Sequence, residues 1–390
     1  TTYIIKSIIE AGNSHVGLIG TIGNIIKERE YPALHTTPEA PDLQRLLRDM
    51  VSSGCGYVVA EISSHALSLK RVDYTEFRAA VFTNLTMDHL DFHKTMGSYY
   101  EAKKRLFSEL LAENGTAVIN IDDEWGRRLF EEISGDKRHS VITYGINRDA
   151  DVMALDIGSS LSGIAFNLRH GPESYNVSSS LVGMPNVYNI IASATAAIAL
   201  NIPGEQIIRG VKNALPVNGR MEGVNIGQDF LCLVDYAHTP DALERLISSV
   251  RDVTERQSIL TEGLQHRIIT VFGCGGNRDM GKRPVMGEIA TRLSDYVIIT
   301  SDNPRREEAM NIIREIESGI EKDNYVVTPD RRDAINAAVR TAGRGDVIII
   351  AGKGHEDYQE IGDVRHRLSD IEVSGEAIAG KLKGARADEA

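Results

Sequence analysis

Short apolar runs alternate with amphipathic segments along most of this chain. In the first half, the runs at 56–63, 79–85 and 115–123 predict buried strands. Residues 41–54 begin with Pro and end with Gly, which is typical of a helix. This β/α alternation indicates a mostly parallel sheet covered by helices.

The pattern changes twice further along. Residues 141–180 are rich in Ser and Gly and alternate in polarity, which favours a small antiparallel patch, and 186–202 predicts a small-residue helix. Pro, Asn and Gly cluster at 215–223 and indicate a break. Beyond the break, four apolar runs predict strands, each followed by a Gly- or Asp-rich loop: 230–237, 266–276, 295–302 and 346–354.

We therefore predict an α/β fold in two domains, residues 1–218 and 219–390. Ligands of open α/β sheets bind outside the carboxyl ends of the strands, so we expect a site in the loops after the four later strands. The chain opens on Thr1 with four isoleucines at helical spacing, and without an initiator Met or a signal peptide. From this pattern we expect a chain that is cut inside its first domain.

Composition narrows the classes of function. The formal net charge of -12 over 390 residues argues against an extended nucleic-acid surface, although local arginines could still bind an anionic substrate. No apolar run reaches the length of a membrane span. The three cysteines are scattered and form neither a disulfide framework nor a CxxC metal site, which predicts a reducing, cytoplasmic location.

Acidic and histidine side chains crowd the segment TNLTMDHLDFH, residues 83–93, at a predicted strand end. They suit a metal-phosphate site, because carboxylates and His are ligands of Mg²⁺ and transition metals. Capping acids in a solvated loop explain them equally well. Glu61 follows the preceding strand and is either a Mg²⁺ ligand or part of a helix N-cap network with Ser63 and Ser64.

Several polar loops also have two interpretations. The segments 272–284 and 351–359 could bring backbone N–H groups and cations to an anion, or could be tight loops with a solvated basic face; neither matches a Walker or GxGxxG motif. Residues 301–306, SDNPRR, contain common turn formers, but paired arginines also suit a carboxylate or phosphate. Asn186 and Asn189 either cap a helix or present amides to a nucleotide.

The order and spacing of these motifs resemble the Mur ligases, ATP-dependent amide-bond-forming enzymes of peptidoglycan synthesis, and especially their MurE type. The resemblance runs nearly from end to end. It rests on the segments AEISSHAL, FTNLTMDHLDFH, EAKKRLF, INIDDE, NVYN, GRME, VDYAHTPDALE, FGCGGNRD, SDNPR and AGKGHEDYQ. The family's P-loop, GTNGKTT, and its small uridine-diphosphate domain do not precede Thr1, which fits the expectation of a fragment.

The resemblance implies a fold and a reaction. The first domain would be the central ATP-binding domain, and the second a Rossmann-like domain for the incoming amino acid. ATP would convert a carboxylate of UDP-N-acetylmuramoyl-L-alanyl-D-glutamate to an acyl phosphate, which the amine of meso-diaminopimelate then attacks. Mg²⁺ would accompany ATP. The enzyme would be a cytoplasmic monomer without nucleic-acid or membrane partners.

The resemblance also implies four sets of site residues. They are Glu61, His89 and carbamylated Lys103 for Mg²⁺ and catalysis; Asn186, Asn189, Arg220, Asp235 and His238 for ATP; Thr36, Thr37, Ser63 and Arg71 for the muramoyl-dipeptide; and Arg278, Asn303, Arg305, Gly352 and Glu356 for diaminopimelate. Arg305 would bind the distal carboxylate bidentately, and Glu356 the ammonium. Two alternatives stay open: a lysine-adding or folylpolyglutamate-type ligase, and an ATP-incompetent binding protein.

Overall fold

The computed structural model describes residues 1–160, 163–260 and 266–388, with side chains omitted at 256–260 and 385–388. The chain divides into two compact units, Thr1–Leu215 and Pro216–Ala390. The sequence prediction put the division after residue 218. Each unit is an α/β domain with its own apolar core.

The helices of the first unit form where the pattern of apolar residues leaves one face to bury. The first of them buries Ile4, Ile5, Ile8 and Ile9, the four isoleucines at helical spacing. The helices are α1 (Thr2–Glu10), α2 (Ala40–Ser52), α3 (Ser64–Ser68), α4 (Leu90–His93), α5 (Met96–Ser108), α6 (Glu124–Ile133), α7 (Met184–Ala199) and α8 (Gly204–Asn213).

The strands of the first unit form two sheets within the described residues. Their bounds are β1 (Val16–Ile19), β2 (Asn24–Ile26), β3 (Arg29–Tyr31), β4 (Tyr57–Ala60), β5 (Phe77–Phe82), β6 (Leu111–Asn120), β7 (Ser140–Gly145), β8 (Val152–Ser160), β9 (Gly163–His170) and β10 (Glu173–Ser179). One sheet has the order β3-β2-β1-β4, and the other β10-β9-β8-β7-β6-β5. Strands β5 to β8 are parallel, and β8 to β10 are antiparallel. The predicted antiparallel patch therefore extends the parallel sheet.

Helix α7 is the centre of the first core. Its residues from Ile190 to Ala197 are buried on every side, and six of these eight are Ala, Ser or Thr. It packs against β5 to β8 on one side and α1 on another. Small side chains let the helix approach both neighbours closely, which explains a small-residue pattern without a polar face.

The second unit is built on one mixed sheet. Its strands are β11 (Glu222–Gly223), β12 (Leu231–Asp235), β13 (Ile268–Phe272), β14 (Tyr296–Ile299), β15 (Tyr325–Val327) and β16 (Val347–Ala351), followed by a separate hairpin of β17 (Tyr358–Ile361) and β18 (Val364–Arg367). Its helices are α9 (Pro240–Leu260), α10 (Lys282–Leu293), α11 (Ala309–Glu317), α12 (Arg331–Thr341) and α13 (Asp370–Asp388).

The order of this sheet brings the predicted loops to one edge. It runs β11-β12-β16-β13-β14-β15, and all neighbours are parallel except β11 and β12. The four strands predicted after the break are therefore consecutive, and their carboxyl ends share an edge, which confirms the predicted α/β fold. Strand β16 is buried along its whole length, as expected for a central parallel strand. None of the described helices is long and apolar enough to cross a membrane.

Candidate functional sites in the two domains

Glu61 lies at the carboxyl end of β4 and is held by Thr21. Its Oε2 accepts hydrogen bonds from the Thr21 backbone N–H at 3.1 Å and from the Thr21 hydroxyl at 2.7 Å. The same hydroxyl lies 3.0 Å from the Thr36 hydroxyl. Sequence reasoning missed Thr21, because no acidic or basic group marks it. One carboxylate oxygen is thus fixed, and Oε1 takes no part in these bonds.

The residues predicted for the muramoyl-dipeptide form one hydrogen-bonded loop. The buried Thr37 hydroxyl donates to the Glu61 carbonyl at 2.7 Å and accepts from the Ser63 N–H at 3.0 Å. Arg71 donates from Nη1 to the Thr37 carbonyl at 3.1 Å and pairs through Nη2 with Glu39 at 2.5 Å. The structure therefore joins Thr36, Thr37, Ser63 and Arg71 to the Glu61 strand end. Whether they contact the dipeptide stays a prediction.

The structure confirms the N-cap interpretation for one residue of this loop, Ser63. Ser63 is the N-cap of α3, and its hydroxyl accepts from the Ala66 N–H at 3.2 Å. Ser64 has a different partner, since its hydroxyl lies 2.9 Å from His93 Nε2. Glu61 forms no bond to the helix terminus among those described. Ser63 thus caps the helix, while Glu61 belongs to the Thr21 pair.

Of the two histidines in the segment 83–93, one is buried and the other is more exposed to solvent. His93 is buried and stacks on Tyr99, with ring centroids 4.9 Å apart at 18°. His89 has φ 55°, in the left-handed region, and its backbone N–H donates to Asp88 Oδ1 at 2.8 Å. Its ring is half exposed and lies edge-on to His65 at 4.9 Å. His93 is therefore a packed structural residue, whereas His89 keeps an accessible imidazole.

The neighbouring lysines of α5 have opposite surroundings. Lys103 Nζ lies 5.3 Å from the centre of the Tyr99 ring, and burial lowers its pKa, with the Asp88 charge opposing. Lys104 instead pairs with Glu132 at 2.7 Å, which raises its pKa. This difference supports the assignment of Lys103, rather than Lys104, to chemistry.

The surroundings of Glu61 have one feature that suits a bound Mg²⁺. A Cβ on Gly20 would lie 3.4 Å from Glu61 Oε1, so the glycine keeps the space beside the unused oxygen open. Among the described residues, however, no three His, Cys, Asp or Glu side chains group closely enough to hold a metal. No hydrogen bond or ion pair within these residues joins Glu61 to His89 or Lys103. The predicted ligand set therefore stays a prediction that needs the Lys103 carbamate as its third ligand, beside the Glu61 oxygen and the His89 nitrogen.

Asn186 and Asn189 lie in the first turns of α7, but neither caps it. The N-cap is Gly183, without a side-chain bond; Asn186 Nδ2 donates backwards to the Val182 carbonyl at 2.9 Å. Asn189 Oδ1 accepts from the Thr1 hydroxyl at 2.8 Å, so it lies at the N-terminus of α1. The capping interpretation is wrong. The nucleotide role of both amides stays a prediction.

In the second unit, Asp235 at the end of β12 fixes the backbone around it. Its Oδ2 accepts from the Met221 N–H and its Oδ1 from the Ala237 N–H, each at 2.7 Å. Burial raises the pKa of this carboxyl, and the Arg220 charge and the two N–H bonds oppose that effect. With both oxygens occupied by backbone, Asp235 acts on the loop rather than presenting a free carboxylate.

The other two residues predicted for ATP in this unit lie around the Tyr236 ring. The Arg220 guanidinium is exposed and lies 4.9 Å from the ring centre. The His238 ring is edge-on to it at 4.7 Å, and its Nδ1 is 2.8 Å from the Tyr236 carbonyl. The structure thus groups Arg220, Asp235 and His238 at one strand end. Their contact with ATP stays a prediction.

The SDNPRR loop after β14 is closed by the hairpin β17–β18. Arg305 has φ 52°, its N–H donates to the Glu360 carbonyl at 2.9 Å, and its carbonyl accepts from the Gly362 N–H at 2.7 Å. The guanidinium donates from Nε to Glu360 Oε2 at 3.2 Å and from Nη1 to the Gly276 carbonyl at 2.8 Å. Nη2 bonds to none of the described residues, so the fork can still receive a carboxylate.

The glycine-rich segment 272–284 approaches this loop with its backbone. The Gly276 N–H donates to the Asn303 carbonyl at 2.9 Å, and a Cβ on Gly276 would lie 1.9 Å from the Pro304 carbonyl oxygen. The glycines here are therefore explained by close contact between two loops. Arg278, from the same segment, is exposed and forms no ion pair with a described residue.

Gly352 and Glu356 lie after β16. Gly352 has φ 116°, and a Cβ there would lie 2.8 Å from Asp302 Oδ2, so only glycine fits. Glu356 Oε2 accepts from Asn303 Nδ2 at 2.8 Å and pairs with Lys353 Nζ at 2.8 Å. The structure brings Asn303, Gly352 and Glu356 together, and Arg305 lies two residues beyond Asn303.

Sequence reasoning missed a buried ion pair that supports these loops. Arg331 and Asp370 are both 0% exposed and pair at 2.7 Å. Arg331 also donates to the carbonyls of Ala351 at 3.0 Å and Ser301 at 3.3 Å. It therefore ties the ends of β14 and β16 together beneath the site. A lone Arg at a helix start carries no signal that would have revealed this role.

Comparison with known families gives a match in each domain. Residues 1–197 match the model of the Mur ligase middle domain, and residues 219–354 match that of the Mur ligase glutamate ligase domain. The chain belongs to the Mur ligase family. Members of this family are ATP-dependent enzymes that form amide bonds.

Curated Mur ligases of the MurE type match most of the chain. A UDP-N-acetylmuramoyl-L-alanyl-D-glutamate–2,6-diaminopimelate ligase from Caldanaerobacter subterraneus subsp. tengcongensis is 45% identical over 383 residues, which are 97% of this chain and 75% of that protein. The enzyme of the same name from Clostridioides difficile strain 630 is 43% identical over 380 residues, 97% and 76% of the two chains.

Solved Mur ligase structures share the fold. A UDP-N-acetylmuramoyl-L-alanyl-D-glutamate–2,6-diaminopimelate ligase is 35% identical with a TM-score of 0.65, covering 98% of this chain and 76% of its own. A Mycobacterium tuberculosis folylpolyglutamate synthase, solved with ADP and AMPPCP, has a TM-score of 0.68 at 14% identity, covering 98% and 87%. The second likeness shows the fold alone.

Proposed function

We propose that this Mur ligase adds meso-diaminopimelate to UDP-N-acetylmuramoyl-L-alanyl-D-glutamate, using ATP, in the synthesis of peptidoglycan precursors. The observation that carries the proposal is that one strand-end site holds both a carboxylate and a guanidinium: Glu356 bonds to Asn303, and Arg305 lies two residues beyond Asn303, in the loops after β14 and β16. The free amino-carboxylate end of the substrate carries one negative and one positive charge, so its binding site needs one cation and one anion. Arg is suited to the carboxylate because its planar fork forms two parallel bonds.

The relatives support the same substrate. Those reported above at 43% and 45% identity are named for 2,6-diaminopimelate. Lysine has no distal carboxylate, so it could not use the donors that Arg305 keeps beyond its bonds to Glu360 and Gly276. Hydrogen-bond donors left unmatched by a substrate in a partly enclosed site cost binding free energy, which favours the diacid.

The first domain would supply the phosphoryl-transfer site. Mg²⁺, when bound, would neutralise negative charge on the transferred phosphoryl group, and Glu61, His89 and Lys103 would hold it. Lys103 would contribute as a carbamate, which turns a cation into an anionic oxygen ligand. Carbamate formation requires the neutral amine, and burial favours that form by lowering the pKa of Lys103.

Nucleotide contacts would come from the polar groups at two places. Asn186 and Asn189 lie at the start of α7, beside the N-terminus of α1, where backbone N–H groups suit phosphate. Arg220 and His238, with Asp235 shaping their loop, would contact ATP from the second domain. Thr36, Thr37, Ser63 and Arg71 would receive the muramoyl-dipeptide, and Arg278 would add a further cation for diaminopimelate.

We propose further that the enzyme acts as a monomer in the cytoplasm. The described cysteines, Cys55, Cys232 and Cys274, are free thiols, which suits a reducing compartment. The substrates proposed are small molecules, so neither a nucleic-acid nor a membrane surface is needed.

A direct assay tests the substrate. The purified enzyme is mixed with ATP, Mg²⁺, the UDP-linked dipeptide and one amino acid, namely meso-diaminopimelate, L-lysine or L-glutamate, and the product is weighed by mass spectrometry. We expect kcat/KM for diaminopimelate to exceed that for lysine by at least about 100-fold. Preference for lysine or glutamate would contradict the proposal, and binding without ADP formation would support the ATP-incompetent alternative.

A further inference from the structure

Lys353 is a buried cation that the proposed reaction does not yet use. Its side chain is 0% exposed, and Nζ lies 2.8 Å from Glu356 Oε2 and 3.2 Å from Asn303 Oδ1. The ammonium also lies 5.2 Å from the centre of the Tyr358 ring. Burying an ammonium costs several kcal/mol unless its partners compensate for the lost water. These three contacts are therefore what keeps Lys353 in place.

The contacts close a triangle of hydrogen bonds. Asn303 Nδ2 donates to the same Glu356 Oε2 at 2.8 Å, and Asn303 Oδ1 accepts a second bond from the Glu360 N–H at 2.9 Å. Every donor therefore faces an acceptor, which allows only one orientation of the Asn303 amide. Oδ1 therefore accepts two bonds from within the protein, and one of the two Nδ2 N–H groups takes part in none of these bonds.

The two carboxylate oxygens of Glu356 differ in their contacts. Oε2 accepts from Lys353 and Asn303, while Oε1 takes part in neither bond. The Glu356 side chain is 16% exposed, so the carboxylate is only partly open to solvent. One oxygen is held by the protein, and the other can receive a cation from outside. Without Lys353, the carboxylate would lose its charged anchor and would be free to rotate.

We infer that Lys353 is a positioning residue for amino-acid recognition, which fixes Glu356 so that its second oxygen reads the distal ammonium of the substrate. The inference rests on the proposed function, because it takes diaminopimelate as the substrate. Lys353 touches no reacting atom in this account. It acts through Glu356, and Asn303 completes the support.

The test compares meso-diaminopimelate with 2-aminopimelate, which lacks the distal amino group. The ratio of their kcat/KM values measures how well the enzyme recognises that group. We expect Lys353→Met and Lys353→Gln to lower this ratio at least about 10-fold, since the charge-assisted hydrogen bond that fixes Glu356 would be lost. The KM for ATP should stay within about 2-fold. Lys322→Met, at an exposed lysine of the same domain, is the matched control.

A double-mutant cycle provides a second test of the inference. Glu356→Gln should lower the same ratio, and the double variant with Lys353→Met should lose little more than either alone, because the two residues act as one unit. Equal losses with both substrates, or independent effects of the two substitutions, would overturn the inference. So would a failure of both Lys353 variants to fold, which would assign the lysine to stability. Failure of the unaltered enzyme to use diaminopimelate would instead count against the proposed function.

Discussion

Arg305 and Glu360 contact each other twice, through the backbone at 2.9 Å and through the side chains at 3.2 Å. The backbone bond holds Arg305 in its left-handed conformation, at φ 52°, which non-glycine residues rarely adopt. The side-chain bond uses Nε and leaves Nη2 for a ligand. The hairpin β17–β18 therefore shapes the loop that we assign to substrate choice, and a strained residue at such a position is expected at a functional site.

Lys103→Ala should reduce kcat by at least about 100-fold, because a ligand of the phosphoryl-transfer site would be lost. Short carboxylic acids such as acetate should restore part of the activity by replacing the carbamate oxygens. Lys104→Ala is the control, since Lys104 pairs with Glu132 on the surface of α5. The measurement is the rate of ADP formation with and without added acid. Near-normal activity of the Lys103 variant would refute the carbamate role.

Gly352→Ala should weaken amino-acid use more than Gly362→Ala. Both glycines have positive φ, 116° and 60°, but only at Gly352 would the new Cβ meet a neighbour, Asp302 Oδ2 at 2.8 Å. The Gly362 variant carries backbone strain of about 1 kcal/mol alone. We expect the KM for diaminopimelate to rise at least about 10-fold in the first variant only, as measured by initial rates. Equal behaviour of the two variants would remove the steric argument.

Breaking the buried pair under the site should destabilise the second domain. Asp370→Asn leaves the fully buried Arg331 without its counter-charge, and the expected cost is about 3–5 kcal/mol. Glu376→Gln is the control, because Glu376 pairs with Arg332 on the surface, where such a change costs about 1 kcal/mol or less. Urea unfolding followed by circular dichroism gives both values. A loss below about 1 kcal/mol for Asp370→Asn would contradict the supporting role.

Stability should depend on pH through Glu132. Burial raises its pKa, but hydrogen bonds from Lys104, Arg128 and Tyr100 outweigh this and lower the pKa to about 2, against 4.5 for an unperturbed Glu. The unfolded chain then binds the proton first as pH falls, so the stabilisation is complete above pH 4.5 and is lost between there and about 2.

The measurement for this prediction is the melting temperature of the unaltered protein and of Glu132→Gln across that range. The difference at pH 7 should be small, because exposed ion pairs contribute about 0.2–1 kcal/mol each, and it should shrink below pH 4.5. A difference that grows on acidification would show that the sign is wrong.

Much of the fold could be predicted from the sequence. The four strands of the second domain follow from apolar runs with polar ends, and their shared edge follows from parallel pairing. The sequence predicts a small antiparallel patch at residues 141–180, but not that it continues the parallel sheet through β7 and β8. Local patterns predict that a strand exists, whereas its partner depends on residues far away in the chain.

The roles of candidate-site residues could be predicted less well where they depend on which other residue the side chain bonds to. Asn186 and Asn189 have the residue type of a cap, yet Gly183 occupies that position and Thr1 binds Asn189. The bond from Arg305 to Glu360 spans 55 positions, and that from Lys353 to Asn303 spans 50. Such pairs have no sequence spacing that could identify them.

The assignment of Arg305 as the residue that selects the diacid is tested most directly by comparing Arg305→Ala with Arg306→Ala. Arg306 is the matched control, because it is exposed and pairs with Asp363. The measurement is kcat/KM for meso-diaminopimelate and for ATP in both variants. We predict that Arg305→Ala lowers the value for diaminopimelate about 10- to 100-fold and leaves that for ATP within about 2-fold, while Arg306→Ala changes neither. Unchanged use of diaminopimelate by Arg305→Ala, or an equal loss for both substrates, would contradict the account.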